Sequence, residues 1–192
     1  MTMTKYSIEQ RDEQLVGSEA EIRYHCHFHR AGQHLVCIDM EIDTAEEQLT
    51  LTMPSWIPGS YKVRDFVAHQ GDLKVCNLHG QSLNYEWIEK NVLVINNAER
   101  SPMVRVAYTY YANERTVRTM HVNRWRAFIN PANCMMYVKG REHEIHHVYL
   151  YHGMQSWKSI SSSLSPVPHL GIDDEVVVCL LYTSPSPRDA TL

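Results

Sequence analysis

The sequence predicts an all-β chain, folded as an antiparallel β-sandwich or a saddle-like sheet. Two observations carry this prediction: apolar residues recur at every second position in many short segments, and turn-forming residues separate those segments. No segment shows sustained helical periodicity. Many short strands with turn signals between them are typical of sandwiches and related sheets. The predicted strands cover residues 21–29, 34–42, 49–53, 73–78, 83–87, 92–95, 104–110, 125–129, 135–138 and 146–151.

The first two strands are predicted to form a hairpin. In the first, apolar residues alternate with Arg23 and three histidines, which is typical of a half-buried strand. Ala31-Gly32 supplies the turn, and the second strand alternates in the same way. The residues predicted to face inward are Ile22, Tyr24, Cys26, Phe28, Val36, Ile38, Met40 and Ile42.

The third strand leads into a rigid corner over residues 53–66. Pro54 and Pro58 remove backbone donors and favour extended conformations at the residues before them. Gly59 can adopt a positive φ, so Pro58-Gly59 indicates a turn. Trp56 is predicted to be a buried apolar anchor, and Arg64 and Asp65 follow as adjacent opposite charges. Both a structural corner and a binding loop fit this pattern.

The remaining strands follow from the same alternation. A turn at Gly80 separates two predicted strands, and residues 92–95 form a short apolar run. Residues 104–110 alternate most clearly, since Val104, Val106, Tyr108 and Tyr110 share one face. The segments at 125–129, 135–138 and 146–151 are shorter but equally rich in apolar residues.

Composition narrows the class of protein. The chain has 192 residues, is 44% hydrophobic and carries a net charge of −4, so it can bury a core as one domain. This charge argues against nucleic-acid binding, which requires a clustered basic excess. Five dispersed cysteines suit free thiols in a reducing compartment. Because residues 1–13 are polar and no apolar run reaches about 20 residues, we expect a cytoplasmic chain without membrane contact.

Three regions follow from these patterns. Residues 1–19 are a polar lead-in, and residues 20–165 form the β-domain. Residues 166–192 are predicted to be a linker followed by a non-homologous or disordered tail, because Ser and Pro dominate residues 161–168 and no pattern follows the apolar run at 176–181. A foreign reading frame from about residue 175 is one explanation, and a genuine disordered tail is the other.

The corner also carries a family resemblance. Its run Pro54–Phe66, PSWIPGSYKVRDF, resembles the signature of the amino-terminal domain of the M61 family, the glycyl aminopeptidase-like zinc metallopeptidases. The resemblance spans roughly residues 20–165. Further matching features occur in that domain's order: Trp87, the strand Tyr108–Ala112 with Thr116–Thr119 after it, the turn Phe128–Asn130, and Trp157.

The resemblance implies a role without catalysis for this chain. In the family, this β-domain packs against a thermolysin-like catalytic domain, and the zinc helix and PDZ-like domain belong to a longer chain. The implied partners are the chain's own missing catalytic domain and a peptide substrate, and zinc is implied only for the complete enzyme. No catalytic or metal-binding residue is assigned here. The residues predicted to form a cleft or interdomain surface are Trp56, Pro58, Gly59, Tyr61, Arg64, Asp65 and Arg118.

One motif suggests a different hypothesis, a small zinc protease. Residues 143–147 match H-E-x-x-H, in which two histidines one helical turn apart bind zinc and the glutamate polarises water. The β-prone run that follows, residues 148–151, instead predicts a strand. On a strand His143 and His147 are about 13 Å apart at ~3.3 Å per residue, too far to share one ion.

Two further patterns allow a free-standing binding module for peptide or carbohydrate. His25, His27 and His29 alternate on one strand face and could share a metal, but the lack of an acidic or thiol ligand on that face in the sequence favours a solvated polar face. Several aromatic residues could form a platform for a ligand, or could be ordinary cross-strand pairs. These residues are Tyr108, Tyr110, Tyr111, Trp125, Tyr149 and Tyr151.

Overall fold

The computed structural model describes residues 22–57, 62–116, 118–144, 146–151, 157, 159, 161–162, 165–166 and 176–180. Within them the chain forms thirteen strands and one four-residue helix, α1 (Pro131–Cys134). The strands are β1 (Ile22–His27), β2 (Leu35–Asp43), β3 (Gln48–Thr52), β4 (Gln70–Asn77), β5 (Tyr85–Glu89), β6 (Val92–Asn96), β7 (Met103–Tyr111), β8 (His121–Asn123), β9 (Arg126–Phe128), β10 (Tyr137–Val138), β11 (His146–Tyr151), β12 (Ser165–Pro166) and β13 (Val176–Leu180).

The strands form two main sheets and a small hairpin. The large sheet has the order β12-β13-β11-β1-β2-β7-β4, the second has the order β10-β3-β6-β5, and β8 pairs with β9. The prediction of an all-β fold is confirmed. One pairing departs from the antiparallel prediction, because β1 runs parallel to β11, with Ile22 opposite His146. A parallel pair requires a long connection, and here most of the domain lies between the two strands.

The core lies between the two sheets. The residues predicted to face inward on β1 and β2 are confirmed, since Val36, Ile38, Met40 and Ile42 are fully buried. Leu49 and Leu51 on β3 are fully buried from the other sheet. Two tyrosine hydroxyls of the large sheet also bond to the backbone of the segment before β10: Tyr24 donates to Met136 O and Tyr108 to Cys134 O, both at 2.7 Å. The sheets are therefore joined by apolar packing and by buried hydrogen bonds.

Several turns differ from the predicted ones. Residues 31–33 form a 3₁₀ turn that ends at His34, whose φ of 61° reverses the chain into β2. The strand predicted at 125–129 is confirmed as the shorter β9, and it pairs with β8, which was not predicted. Between them the Asn123 side chain accepts hydrogen bonds from the backbone of residues 125 and 126. The turn predicted at Phe128–Asn130 starts α1, because Asn130 Oδ1 accepts from Ala132 N.

The carboxyl-terminal region is partly ordered as strand. Val176–Leu180, which lies in the region predicted to be a linker and tail, pairs with β11 as β13. Its β-branched run Val176–Val178 has a high strand propensity, and β11 offers an unpaired edge. Residues 1–21, 167–175 and 181–192 lie outside the described residues, as do the predictions about them. No helix in the described part of the chain is long and apolar enough to cross a membrane.

A candidate ligand cleft beside the corner

A cleft of about 350 Å³ opens where the chain enters β4 and leaves β7. One wall is the segment 62–69, which follows the corner, and the other is formed by the end of β7 and the turn after it. Asn133 of α1 also lines it. The lining residues combine an apolar surface with a few charges: Lys62, Val63, Arg64, Asp65, Phe66, Ala68, His69, Tyr110, Tyr111, Asn113, Glu114, Thr119, Met120 and Asn133.

The first wall is held by backbone and side-chain contacts. Arg64 N donates to Ser55 O at 2.6 Å, which ties the two ends of the corner together. Phe66 is buried in the core and anchors the 3₁₀ turn Phe66–His69. The carboxylate of Asp65 forms an ion pair with Lys90, which lies between β5 and β6. The segment that carries Arg64 is therefore fixed on both sides of it.

The second wall is a hydrogen-bonded turn. The Thr116 and Thr119 hydroxyls are 2.7 Å apart, and Thr119 Oγ1 also donates to Glu114 O. Glu114 N donates to Met120 O, which closes the turn. Asn133 Nδ2 donates to Arg118 O at 2.9 Å and links this turn to α1. The turn that contains Arg118 therefore has a defined shape and presents Glu114 and Thr119 to the cleft.

Three polar groups of the cleft lack partners. Arg64 Nε is buried and has no hydrogen-bond partner, and no ion pair to its guanidinium is present in the described part of the chain. Asn133 is only 1% exposed, and its Oδ1 has no partner among the residues that the structure describes. The exposed carboxylate of Glu114 forms no ion pair with any described cation. Burial, together with the charges of Cys134 and Glu114, raises the pKa of Tyr110, so Tyr110 carries a neutral hydroxyl beside Glu114.

The predicted surface residues divide into three groups. Arg64 and Asp65 line the cleft, and Arg118 contributes its carbonyl to the second wall. Trp56 does not line the cleft, and the prediction that it is a buried anchor is wrong, because it is 49% exposed. Asp65 pairs with Lys90, and no ion pair between Arg64 and Asp65 is present among the described residues. Pro58, Gly59 and Tyr61 lie outside the described residues.

Comparison with family models decides the family. The model of the peptidase M61 N-terminal domain matches residues 23–174, which is most of the chain. The chain belongs to this family. The matched range is close to the predicted 20–165 and ends before β13. A comparison with curated proteins found no match.

Solved structures similar to this chain were also found. The M61 N-terminal domain chain is similar to an aminopeptidase N family protein from Idiomarina loihiensis, with 27% identity and a TM-score of 0.64 over 68% of this chain and 22% of that one. Native yeast LTA4 hydrolase matches at 10% identity and a TM-score of 0.45, over 93% of this chain and 31% of that one. In both, this chain spans less than a third of the matched protein's length.

The H-E-x-x-H motif lies where this domain enters β11, and the predicted strand is confirmed there. The two histidines of the motif are His143, which lies in a turn before β11, and His147, the second residue of β11, so they do not lie on one helix. The Glu144 carboxylate accepts two hydrogen bonds from Arg141, at 2.7 and 2.6 Å, which lower the pKa of Glu144. Burial lowers the pKa of His146. The donor set of a zinc protease site does not fit this geometry, since it needs two histidines on one helical face.

We therefore predict that Glu144→Gln acts on stability and not on metal binding. The variant keeps the side-chain shape but loses a charge-assisted bidentate contact to Arg141, so we expect a loss of about 1–3 kcal/mol in the free energy of unfolding. Zinc content after dialysis and hydrolysis of an alanyl amide should be negligible in both proteins. One tightly held zinc per wild-type chain, with hydrolysis abolished in Glu144→Gln, would show that the motif is a catalytic site.

The histidine ladder lies on the outer face of the large sheet. His25 stacks on Tyr149 with ring centroids 4.6 Å apart, and His27 stacks on Tyr151 at 4.5 Å. Their Nε2 atoms approach carboxylates of β2, Glu41 at 3.5 Å and Asp39 at 3.4 Å. No group of three metal-ligating side chains is present in the described part of the chain. Tyr108 and Tyr110 lie in the core, so the six aromatic residues do not share one surface.

The exposure of Trp56 lowers the loss of stability that we expect when this side chain is truncated. Truncating a fully buried Trp costs about 3–5 kcal/mol, so Trp56→Ala, with half of its surface already exposed, should cost about 1–2 kcal/mol. Arg64→Ala removes a cation without an ion pair among the described residues and should cost less than about 1 kcal/mol. Urea midpoints measure both. A loss above about 3 kcal/mol for Trp56→Ala would mean that its exposed face is covered in solution.

Proposed function

We propose that this chain is the non-catalytic amino-terminal β-domain of a longer M61-like zinc metalloaminopeptidase, and that it packs against the catalytic domain and shapes its cleft. The observation that carries the proposal is the family match over residues 23–174, together with the likeness to an aminopeptidase N family protein of which this chain covers only 22%. Zinc and hydrolysis belong, in this proposal, to the part of the protein that follows. A cytoplasmic location is part of the same proposal.

The surface around the cleft supports such a contact. Large apolar side chains are exposed there: Val63 and Tyr111 line the cleft, and Trp56 lies on the corner beside it. Trp125 and Phe128 are exposed on the hairpin β8–β9, which adjoins the cleft through a bridge between Asn113 and His121. Apolar side chains gathered in one region of a surface are typical of a face that another domain covers.

The native coding frame downstream of residue 175 tests the proposal. A helical H-E-x-x-H motif in frame, and alanyl-amide hydrolysis by the product of that longer frame, are the expected results. A stop codon soon after this domain in an intact gene would contradict the proposal and favour a free-standing β-sandwich module for peptide or carbohydrate.

A further inference from the structure

Two opposite charges face the same cleft without pairing. The Nη nitrogens of Arg64 make no hydrogen bond within the described residues and are not buried, so a ligand can reach them. The carboxylate of Glu114 lies on the opposite wall and is also exposed. The two groups are more than an ion-pair distance apart, since no contact between them within 4.0 Å is present. The other carboxylate of the cleft, Asp65, is already neutralised by Lys90.

The surface of the cleft between Arg64 and Glu114 suits a small ligand. Phe66, Tyr110 and Met120 line the cleft and are buried, so its inner surface is largely apolar or aromatic. Asn133 adds an acceptor, Oδ1, that is buried without a partner and costs free energy until a donor reaches it. The volume of about 350 Å³ is at the lower end of the range for ligand sites, about 300–1,000 Å³.

We infer that this cleft binds the zwitterion of an α-amino acid or a very short peptide, with the carboxylate on Arg64 and the ammonium group on Glu114. A ligand with one charge can pair with only one of these two residues, whereas a zwitterion pairs with both. An N–H group of the same ligand is the donor that Asn133 Oδ1 lacks. The inference rests on the proposed function, because hydrolysis at the amino end of a peptide releases only zwitterions beside this wall.

The experiment is a titration of the 192-residue chain followed by NMR, with Ala-Ala as the probe. N-acetyl-Ala-Ala lacks the ammonium group and Ala-Ala-amide lacks the carboxylate, so each removes one charge. Each blocked probe should bind at least about tenfold more weakly than Ala-Ala, because each loses a charge-assisted contact. The Asn133 side-chain amide and the Met120 methyl group should shift on binding. Free alanine and Ala-Ala-Ala distinguish an amino-acid site from a peptide site.

Variants assign each charge to its residue. Arg64→Gln should weaken Ala-Ala binding about tenfold or more and leave the binding of Ala-Ala-amide, which has no carboxylate, unaffected. Glu114→Gln should also weaken Ala-Ala binding about tenfold or more, and should leave the binding of N-acetyl-Ala-Ala, which has no ammonium group, unaffected. Arg100→Gln is the matched control, because Arg100 is exposed and bound to Glu47 away from the cleft. The inference is overturned if Ala-Ala gives no shifts up to about 10 mM, binds no more tightly than its blocked forms, or loses equal affinity in Arg64→Gln and Arg100→Gln. None of these results would alter the downstream coding frame, so the proposed function is tested separately.

Discussion

Tyr108→Phe should lower the free energy of unfolding by about 2–5 kcal/mol. The Tyr108 hydroxyl donates to Cys134 O at 2.7 Å and accepts from Met136 N at 3.2 Å, in the core between the two sheets. Removing it leaves a buried carbonyl and a buried N–H without partners, and each costs about 1–3 kcal/mol. The Tyr108 hydroxyl therefore contributes a large share of the free energy of unfolding expected for a domain of this size.

The matched control for this variant lies two residues along the same strand. Tyr110 is also buried, but its hydroxyl makes no hydrogen bond within the described residues, so Tyr110→Phe should change stability by less than about 0.5 kcal/mol. Urea midpoints of the two variants provide the comparison. Equal losses would mean that the hydrogen bonds to Cys134 and Met136 do not hold the sheets together in solution.

Acid should weaken the fold through Glu41, the buried carboxylate on the outer face of the large sheet. Burial alone would raise the pKa of Glu41, but hydrogen bonds and charges from His25 and Arg105 hold it at about 2. Arg23 Nε also lies 3.3 Å from Glu41 Oε2. Because the pKa is depressed in the folded state, the stabilisation is complete above the ordinary pKa of about 4.5 and is lost as the pH falls toward 2. Its full value is about 3 kcal/mol.

The measurement is the urea midpoint at pH 6 and pH 3 for wild type and Glu41→Gln. Wild type should lose about 2 kcal/mol from this residue between the two pH values. Glu41→Gln should be less stable than wild type at pH 6 and should lose correspondingly less on acidification. If both proteins show the same loss between pH 6 and pH 3, Glu41 is not the group that couples stability to pH.

The sequence predicted the strands well because burial alternates with residue number. Every second residue of β2 is inward in the structure, as the apolar pattern from Val36 to Ile42 required. The same pattern could not predict the pairing of β1 with β11, because alternation fixes which face a residue takes but not which strand lies beside it. The three-residue strand β8 is too short to show alternation at all.

The candidate site was only partly predictable for a related reason. Arg64, Asp65 and Arg118 were found through a resemblance carried by adjacent residues, and the fold brings their segments to one cleft. Glu114 and Asn133 were missed because nothing in the local sequence marks them, and only the turn and α1 place them opposite Arg64. The burial of Trp56 was predicted wrongly because the sequence does not distinguish an aromatic residue that packs in a core from one that stays exposed on the surface.

Hydrogen–deuterium exchange tests most directly whether this domain borders a catalytic cleft. The 192-residue chain and the product of the longer native frame are compared, amide by amide, over segments 62–69, 110–114 and 118–120. We expect slower exchange in all three segments of the longer protein, because the catalytic domain packs beside them, with exchange in β1 and β2 unchanged. If the two proteins exchange equally in those three segments, whether or not other segments are protected, this domain does not border the catalytic cleft through them.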